Sequence, residues 1–276
     1  FDGAVDNVSL REVLGNHAYQ STTTCRPTLS ARYNLLTATD TLTTQSVTTV
    51  ATSYTLKLTG AGSVTLSGTA AGSYSAGTYT ITCTAGSLTL TVSGSVTQAD
   101  LRPANDGVGL PPYQRVDDAN TYDTVGFPLY LRFDGVDDFL QTASVDFSGT
   151  DVVATATAYR KMSDVSIGEV FALSGNPTGN TGTFGFYAPE TGGGTAAAVF
   201  FARGASSIIS GQRLGTAPIS CVAGGWASLS MPYMRYRINQ GVSLTSSVAT
   251  GGGNYGIYPL FIGRRNGTSY PFNGRL

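Results

Sequence analysis

The chain has 276 residues, room for two domains, and its 16 basic and 17 acidic side chains leave a formal charge of −1, so no global basic field invites nucleic acid or an anionic membrane. Only 12% of residues are charged while 41% are hydrophobic, too apolar for a disordered chain, and the polar surface must come from Ser, Thr, Asn and Gln. Apolar runs stay far below the roughly 18 residues of a bilayer span.

The elements, taken in order, are strands. Residues 1–16 open on Phe1 and contain VDNVSLREV (5–13). Residues 17–35, with the sole His17, form a lead-in. From 36 to 116 polar and apolar residues alternate with period two: Tyr54, Leu56 and Leu58 share one face, as do Val64 and Leu66, then Tyr79, Ile81 and Cys83, then Leu88, Leu90 and Val92. Gly-containing turns separate these runs at hairpin spacing, which predicts a small antiparallel β-sandwich. Between Leu36 and Asp100 its only charges are Asp40 and Lys57, so it carries no catalytic apparatus. A proline-rich joint with Pro103, Pro111 and Pro112 leads to a boundary near Val116. Residues 117–276 hold seven or more strands, among them LYLRFDG, DVVATATAYRK, GTFGFYAP, AAAVFFARG and YPLFIGRR, predicting a larger two-sheet jelly roll. Nowhere does a helical period run for three turns. The fold class is therefore all-β, two antiparallel sandwich modules preceded by a terminal strand. Both ends read as cut from a longer polypeptide, and PFNGRL as a closing strand that is missing its remainder.

Chemistry-bearing groups are few. In LRFDGVDDFLQT, Asp134 ends a strand on its polar side, Gly135 permits the turn, and Asp137 and Asp138 fit a tight connection. The stretch lacks the alternate oxygen ligands and closing Glu of a calcium loop, so these aspartates are weak metal candidates, no cofactor is expected, and calcium alone is left open. Cys25, Cys83 and Cys221 have neither metal-ligand spacing nor a disulfide framework, and Cys83 reads as a small buried hydrophobe. Glycoside hydrolysis needs two carboxylates across a sugar, yet Glu12, Glu169 and Glu190 are the only glutamates and lie far apart in sequence. His17 has no nucleophile motif to serve, and no Gly-rich stretch joins a strand to a helix. The expectation is a protein that is not an enzyme. Sugar binding would use aromatic faces with amides and carboxylates on loops. Tyr187 with Glu190 in FYAPETGGG, and Asn254, Tyr255 and Tyr258 in GGGNYGIYP, are the glycan candidates.

LRFDGVDDFLQT, a Trp strand leading into YRINQGVSL, and YPLFIGRRNGTSYPFNGRL together resemble the concanavalin A-like, laminin-G-type jelly roll of bacteriophage virion proteins over about 117–276. VDNVSLREV resembles the last strand of a carbohydrate-binding-module jelly roll, and 36–116 resembles a further such module, so that 17–35 packs on the large domain. The resemblance implies that Trp226 is a core residue, and that the protein is a virion fibre, spike or decoration subunit. Its implied partners are other virion proteins in a homo-oligomer, a trimer, and host-surface polysaccharide, with no nucleic acid and no membrane insertion. Alternatives are a purely structural spacer, or an accessory module of a secreted polysaccharide-active enzyme.

Overall fold

Period-two alternation with Thr, Val and Tyr leaves each segment one apolar face to bury, and four antiparallel sheets do so in pairs. The computed structural model describes residues 18–106, 109–175, 181–191, 196–205, 210–231, 233–239, 241, 243–247 and 251–276. The expectation for 1–16, and His17, lie outside them.

In chain order the strands are β1 (Thr28–Ser30), β2 (Gln45–Thr49), β3 (Thr52–Gly60), β4 (Ser63–Gly68), β5 (Gly72–Tyr74), β6 (Gly77–Cys83), β7 (Gly86–Ser93) and β8 (Val96–Pro103). They continue as β9 (Tyr130–Asp134), β10 (Leu140–Asp146), β11 (Val152–Lys161), β12 (Glu169–Leu173), β13 (Thr183–Glu190) and β14 (Ala197–Arg203). The last are β15 (Ser210–Thr216), β16 (Ser220–Ser228), β17 (Tyr233–Ile238), β18 (Leu244–Ser246), β19 (Ile257–Ile262) and β20 (Asn273–Arg275).

The small sandwich packs β2-β7-β4-β5 on β6-β3-β8. Leu56, Ile81 and Leu101 of one sheet meet Val64, Leu88 and Leu90 of the other in a closed apolar core. Its outer faces pair hydroxyls across strands, as in Ser46 with Thr89 at 2.8 Å and Thr65 with Ser73 at 3.0 Å.

The large sandwich packs a seven-stranded sheet, β1-β9-β20-β11-β16-β17-β18, on a six-stranded one, β10-β19-β12-β13-β14-β15. Phe133, Tyr159 and Tyr236 of the first meet Phe184, Phe186 and Phe200 of the second. β1, from the lead-in, pairs with β9, and Tyr19 bridges to Gln141. β20 pairs with β9 over three residues but with β11 only through Arg275 opposite Arg160 and Gly274 opposite Lys161.

Asp106 joins the two sandwiches. Its carboxylate binds Arg160 of β11 at 2.5 Å and Arg275 of β20 at 3.1 Å, and all three side chains are buried. The Arg275 guanidinium also lies between Tyr33 and Tyr130, 4.9 and 4.5 Å from their ring centroids. The small unit thus leans on the outer face of the seven-stranded sheet, at one end of it.

Candidate functional site

The rest of that outer face is open. β11 presents Ala154, Ala156 and Ala158 outward, all exposed. In register beside them stand Trp226, Gly224 and Val222 of β16. On the far side of β16, Arg235 is opposite Trp226 and Arg237 opposite Gly224, both exposed. Small side chains flanked by larger ones make a shallow trough. Its floor is Ala154, Ala156, Ala158 and Gly224, its end wall is Trp226, and its side wall is the two arginines. From Val222 to Trp226 it runs roughly 13 Å at strand rise.

Trp226 corrects the core expectation. Cys221, Ala223, Gly225 and Ala227 turn inward, so Trp226 points outward and is half-buried. Its indole meets the Tyr233 ring edge-on at 5.9 Å, and the Arg235 guanidinium lies 6.0 Å from the centroid of the same ring. The adjacent glycines divide the labour. A Cβ on Gly225 would sit 2.8 Å from the Phe200 ring, so glycine there lets the core ring press against the sheet. A Cβ on Gly224 would meet only the Thr155 carbonyl oxygen at 3.6 Å, so the bare backbone there keeps the trough shallow rather than relieving a clash.

At its Val222 end the trough opens into a cleft of about 440 Å³ against the small sandwich, lined by Tyr33, Tyr130, Asp106, Arg160 and Asn239 among others. At the Trp226 end stands Asp151. Its carboxylate accepts from the Ser230 and Ser228 hydroxyls and the Ser230 N–H, and the Ser230 hydroxyl above all holds it below its ordinary range.

The loop candidates fall into two places. Tyr255 is corrected: it is 2% exposed, its ring edge-on to Phe184 at 5.3 Å, so it plugs the sandwich instead of facing a ligand. Tyr258 is half-buried, its ring packed on the same core and against Gly175 and Gly256. Asn254 is exposed, and its Nδ2 donates to the Ser148 carbonyl at 2.6 Å. Tyr187 and Glu190 lie toward the other end of β13, both half-buried. Tyr187 stacks on Phe201 at 5.0 Å and its hydroxyl accepts from Arg265 Nη1 at 3.0 Å, so it is a packing residue. Nearby Glu169 is fully buried with neither carboxyl oxygen hydrogen-bonded, and burial pushes its acidity well above the carboxylate range despite Arg265.

The three aspartates do converge, with one oxygen from each lying within 4.8 Å of the others. Their hydrogen bonds are those of an Asx turn: Asp134 Oδ1 accepts from the N–H groups of Val136 at 2.7 Å and Asp137 at 3.3 Å. Asp138 Oδ2 accepts from the Asp134 N–H at 2.9 Å, and Asp137 from the Cys25 thiol at 3.3 Å. Burial, with the charges of Asp134 and Asp137, pushes Asp138 up to about 6.

No protein-family profile matches the chain, and no curated protein sequence matches it. Solved structures that resemble it include the CBM40 module of a Ruminococcus gnavus sialidase bound to α2,3-sialyllactose, with TM-score 0.38, 15% identity, and coverage of 53% of this chain and 85% of that one. Mouse laminin α1 domains LG4-5 also resemble it, with TM-score 0.39, 12% identity, and coverage of 96% and 92%. The jelly-roll description rests on the sheets and their registers rather than on these distant likenesses.

Proposed function

We propose that the chain is a non-enzymatic surface protein of a virion, a fibre, spike or decoration subunit, that binds host-surface glycans on the outer face of the seven-stranded sheet. The observation that carries the binding reading is Trp226. A half-exposed indole beside a floor of small residues offers a flat apolar face to the C–H side of a sugar ring, and guanidiniums beside it supply hydrogen bonds. The surroundings suit display: the trough lies on strands, positioned by a packed core, and the neighbouring sandwich is covered by paired hydroxyls. Single contacts of this kind are weak, and repetition in a homo-oligomer, a trimer in this reading, multiplies them.

A second reading, a purely structural spacer, is favoured by the buried Asp106 junction, which fixes one sandwich on the other as a rigid rod would require.

The test is binding of labelled protein to a panel of bacterial strains and their isolated surface polysaccharides, with Trp226→Ala and Gly224→Val alongside. Gly224→Val fills the trough without a core clash. Saturable binding to a strain, competed by its polysaccharide and lost in both variants, is expected. Binding that survives both variants places the ligand elsewhere. No binding to any strain leaves the spacer.

A further inference from the structure

We infer that the cleft between the two sandwiches binds one oxyanion group, a carboxylate, sulfate or phosphate, on the Nε and Nη2 edge of Arg160. This site is separate from the trough and does not rest on the glycan reading.

The junction buries more positive charge than negative. Arg160 and Arg275 are 6% and 7% exposed, and both pair with the single Asp106 carboxylate. Among the described residues neither has a second acidic partner. Burial above all loosens the Arg160 proton; Asp106 opposes this, and the charge of Arg275 adds to it. A buried cation without a counter-ion of its own is costly, and a second anion beside the pair relieves that cost.

The hydrogen bonds of Arg160 are one-sided. Its Nη1 alone donates to Asn105 Oδ1 at 3.1 Å, to Asp106 Oδ1 at 2.5 Å and to Ser220 Oγ at 2.8 Å. Its Nε and Nη2 are buried and have no partner. Those two nitrogens form an edge of the guanidinium that grips two oxygens of one carboxylate or phosphate through parallel bonds.

The groups around that edge add donors. Asp106 is the one acidic side chain among the described residues lining the cleft of about 440 Å³, and an arginine already takes each of its oxygens. Asn239 Oδ1 accepts from the Val222 N–H at 3.0 Å, which leaves its Nδ2 to give. Ser220 Oγ accepts from Arg160, which leaves its proton to give. A neutral sugar hydroxyl must donate as well as accept, whereas an ionised oxyanion only accepts.

The experiment is calorimetric titration of the whole chain at pH 7 and fixed ionic strength with sodium sulfate, sodium phosphate, methyl glucuronide and, as the neutral control, methyl glucoside. Wild type is compared with Arg160→Lys, Asn239→Asp and Arg132→Gln. At least one oxyanion should saturate a single site, and methyl glucoside should not. Arg160→Lys keeps the charge but loses the fork, and should weaken binding roughly tenfold. Asn239→Asp keeps an acceptor for the Val222 N–H while setting a carboxylate at the cleft, and should weaken it as much. That change is at an exposed residue, so it tests the site even where Arg160→Lys fails to fold. Arg132→Gln removes an exposed arginine of the same sheet outside this cleft and should bind as wild type. Glucuronide bound more tightly than sulfate and phosphate assigns the group to an acidic sugar, and the reverse order assigns it to a free inorganic anion. Equal losses in Arg132→Gln and Arg160→Lys would overturn the inference as diffuse attraction. Binding unchanged in both Arg160→Lys and Asn239→Asp would overturn it by placing the anion elsewhere. Absence of saturable binding of any oxyanion up to about 100 mM would overturn it outright.

Discussion

Replacing Asp106 by Asn tests how the two sandwiches are held. The Asp106 carboxylate is the anion for two guanidiniums, at 2.5 and 3.1 Å, with all three side chains close to nine-tenths buried or more. Arg160 Nη1 would keep Asn105 at 3.1 Å and Ser220 at 2.8 Å, but its Nε and Nη2 already lack partners. Arg275 would keep the Tyr33 and Tyr130 faces. Breaking a buried pair by removing one partner costs about 3–5 kcal/mol because the other charge is stranded. The surviving contacts place Asp106→Asn near the lower end, about 3 kcal/mol. In urea the variant should lose that much stability, with the two sandwiches separating into distinct transitions followed by Trp226 fluorescence for the large unit and far-ultraviolet circular dichroism for both. Converting Asp106, Arg160 and Arg275 together to Leu, Met and Met should return most of the loss. A single unfolding transition shifted by less than about 1 kcal/mol would refute the reasoning, since an exposed pair behaves that way.

The remaining expectations concern buried acids and one glycine. Asp138 has its proton held more tightly folded than unfolded, so its contribution to stability is full below about 4 and falls as pH rises toward about 6. Asp138→Asn, which still accepts from the Asp134 N–H, should therefore gain on wild type across that window, by about 1 kcal/mol after solvent screening, in urea midpoints measured at pH 4 and 7. Millimolar calcium should leave the wild-type melting temperature unchanged, and a rise that Asp138→Asn abolishes would make the turn a metal site. Glu169→Gln should likewise gain on wild type as pH is raised from 5 to 8, because the buried acid alone bears the growing cost of ionisation. Gly263→Ala should lose about 3 kcal/mol in the same assay, because φ is +84° and its Cβ would fall 2.2 Å from the buried Phe133 ring.

Strand content was legible because most inward sets are large and regular, as in Tyr54, Leu56 and Leu58, so period two stands out. Trp226 was misplaced for the opposite reason. β16 begins at Ser220, and its inward set is Cys221, Ala223, Gly225 and Ala227, small enough that the alternation vanishes and nothing in the residues corrected the core position that the resemblance implied for Trp226. Tyr255 was misplaced because GGGNYG has the composition of an exposed loop, while the end of the sandwich needed a ring to pack on Phe184. Asp134 was readable as a turn residue because an Asx turn is local chemistry. The Asp106 junction was not readable, since it joins residues 54 and 169 positions apart, and neither was the trough, which needs the β11, β16 and β17 registers together.

The brief pairing of β20 with β11 leaves most of that edge of β11 open. β16 covers β11 on one side from Val152 to Arg160, but among the described residues no ladder partner lies on its other side from Val152 to Ala158. Beneath that edge is a cavity of about 580 Å³ lined by Leu131, Val153, Phe171, Phe184, Leu260 and Ile262 among others. A row of unanswered amides above an apolar slot is a template for any extended chain, and no lysine or proline on that stretch of β11 discourages one. Any extended segment laid along β11 from Val152 to Ala158, from this polypeptide or another, would complete the ladder and cover the apolar slot in one step.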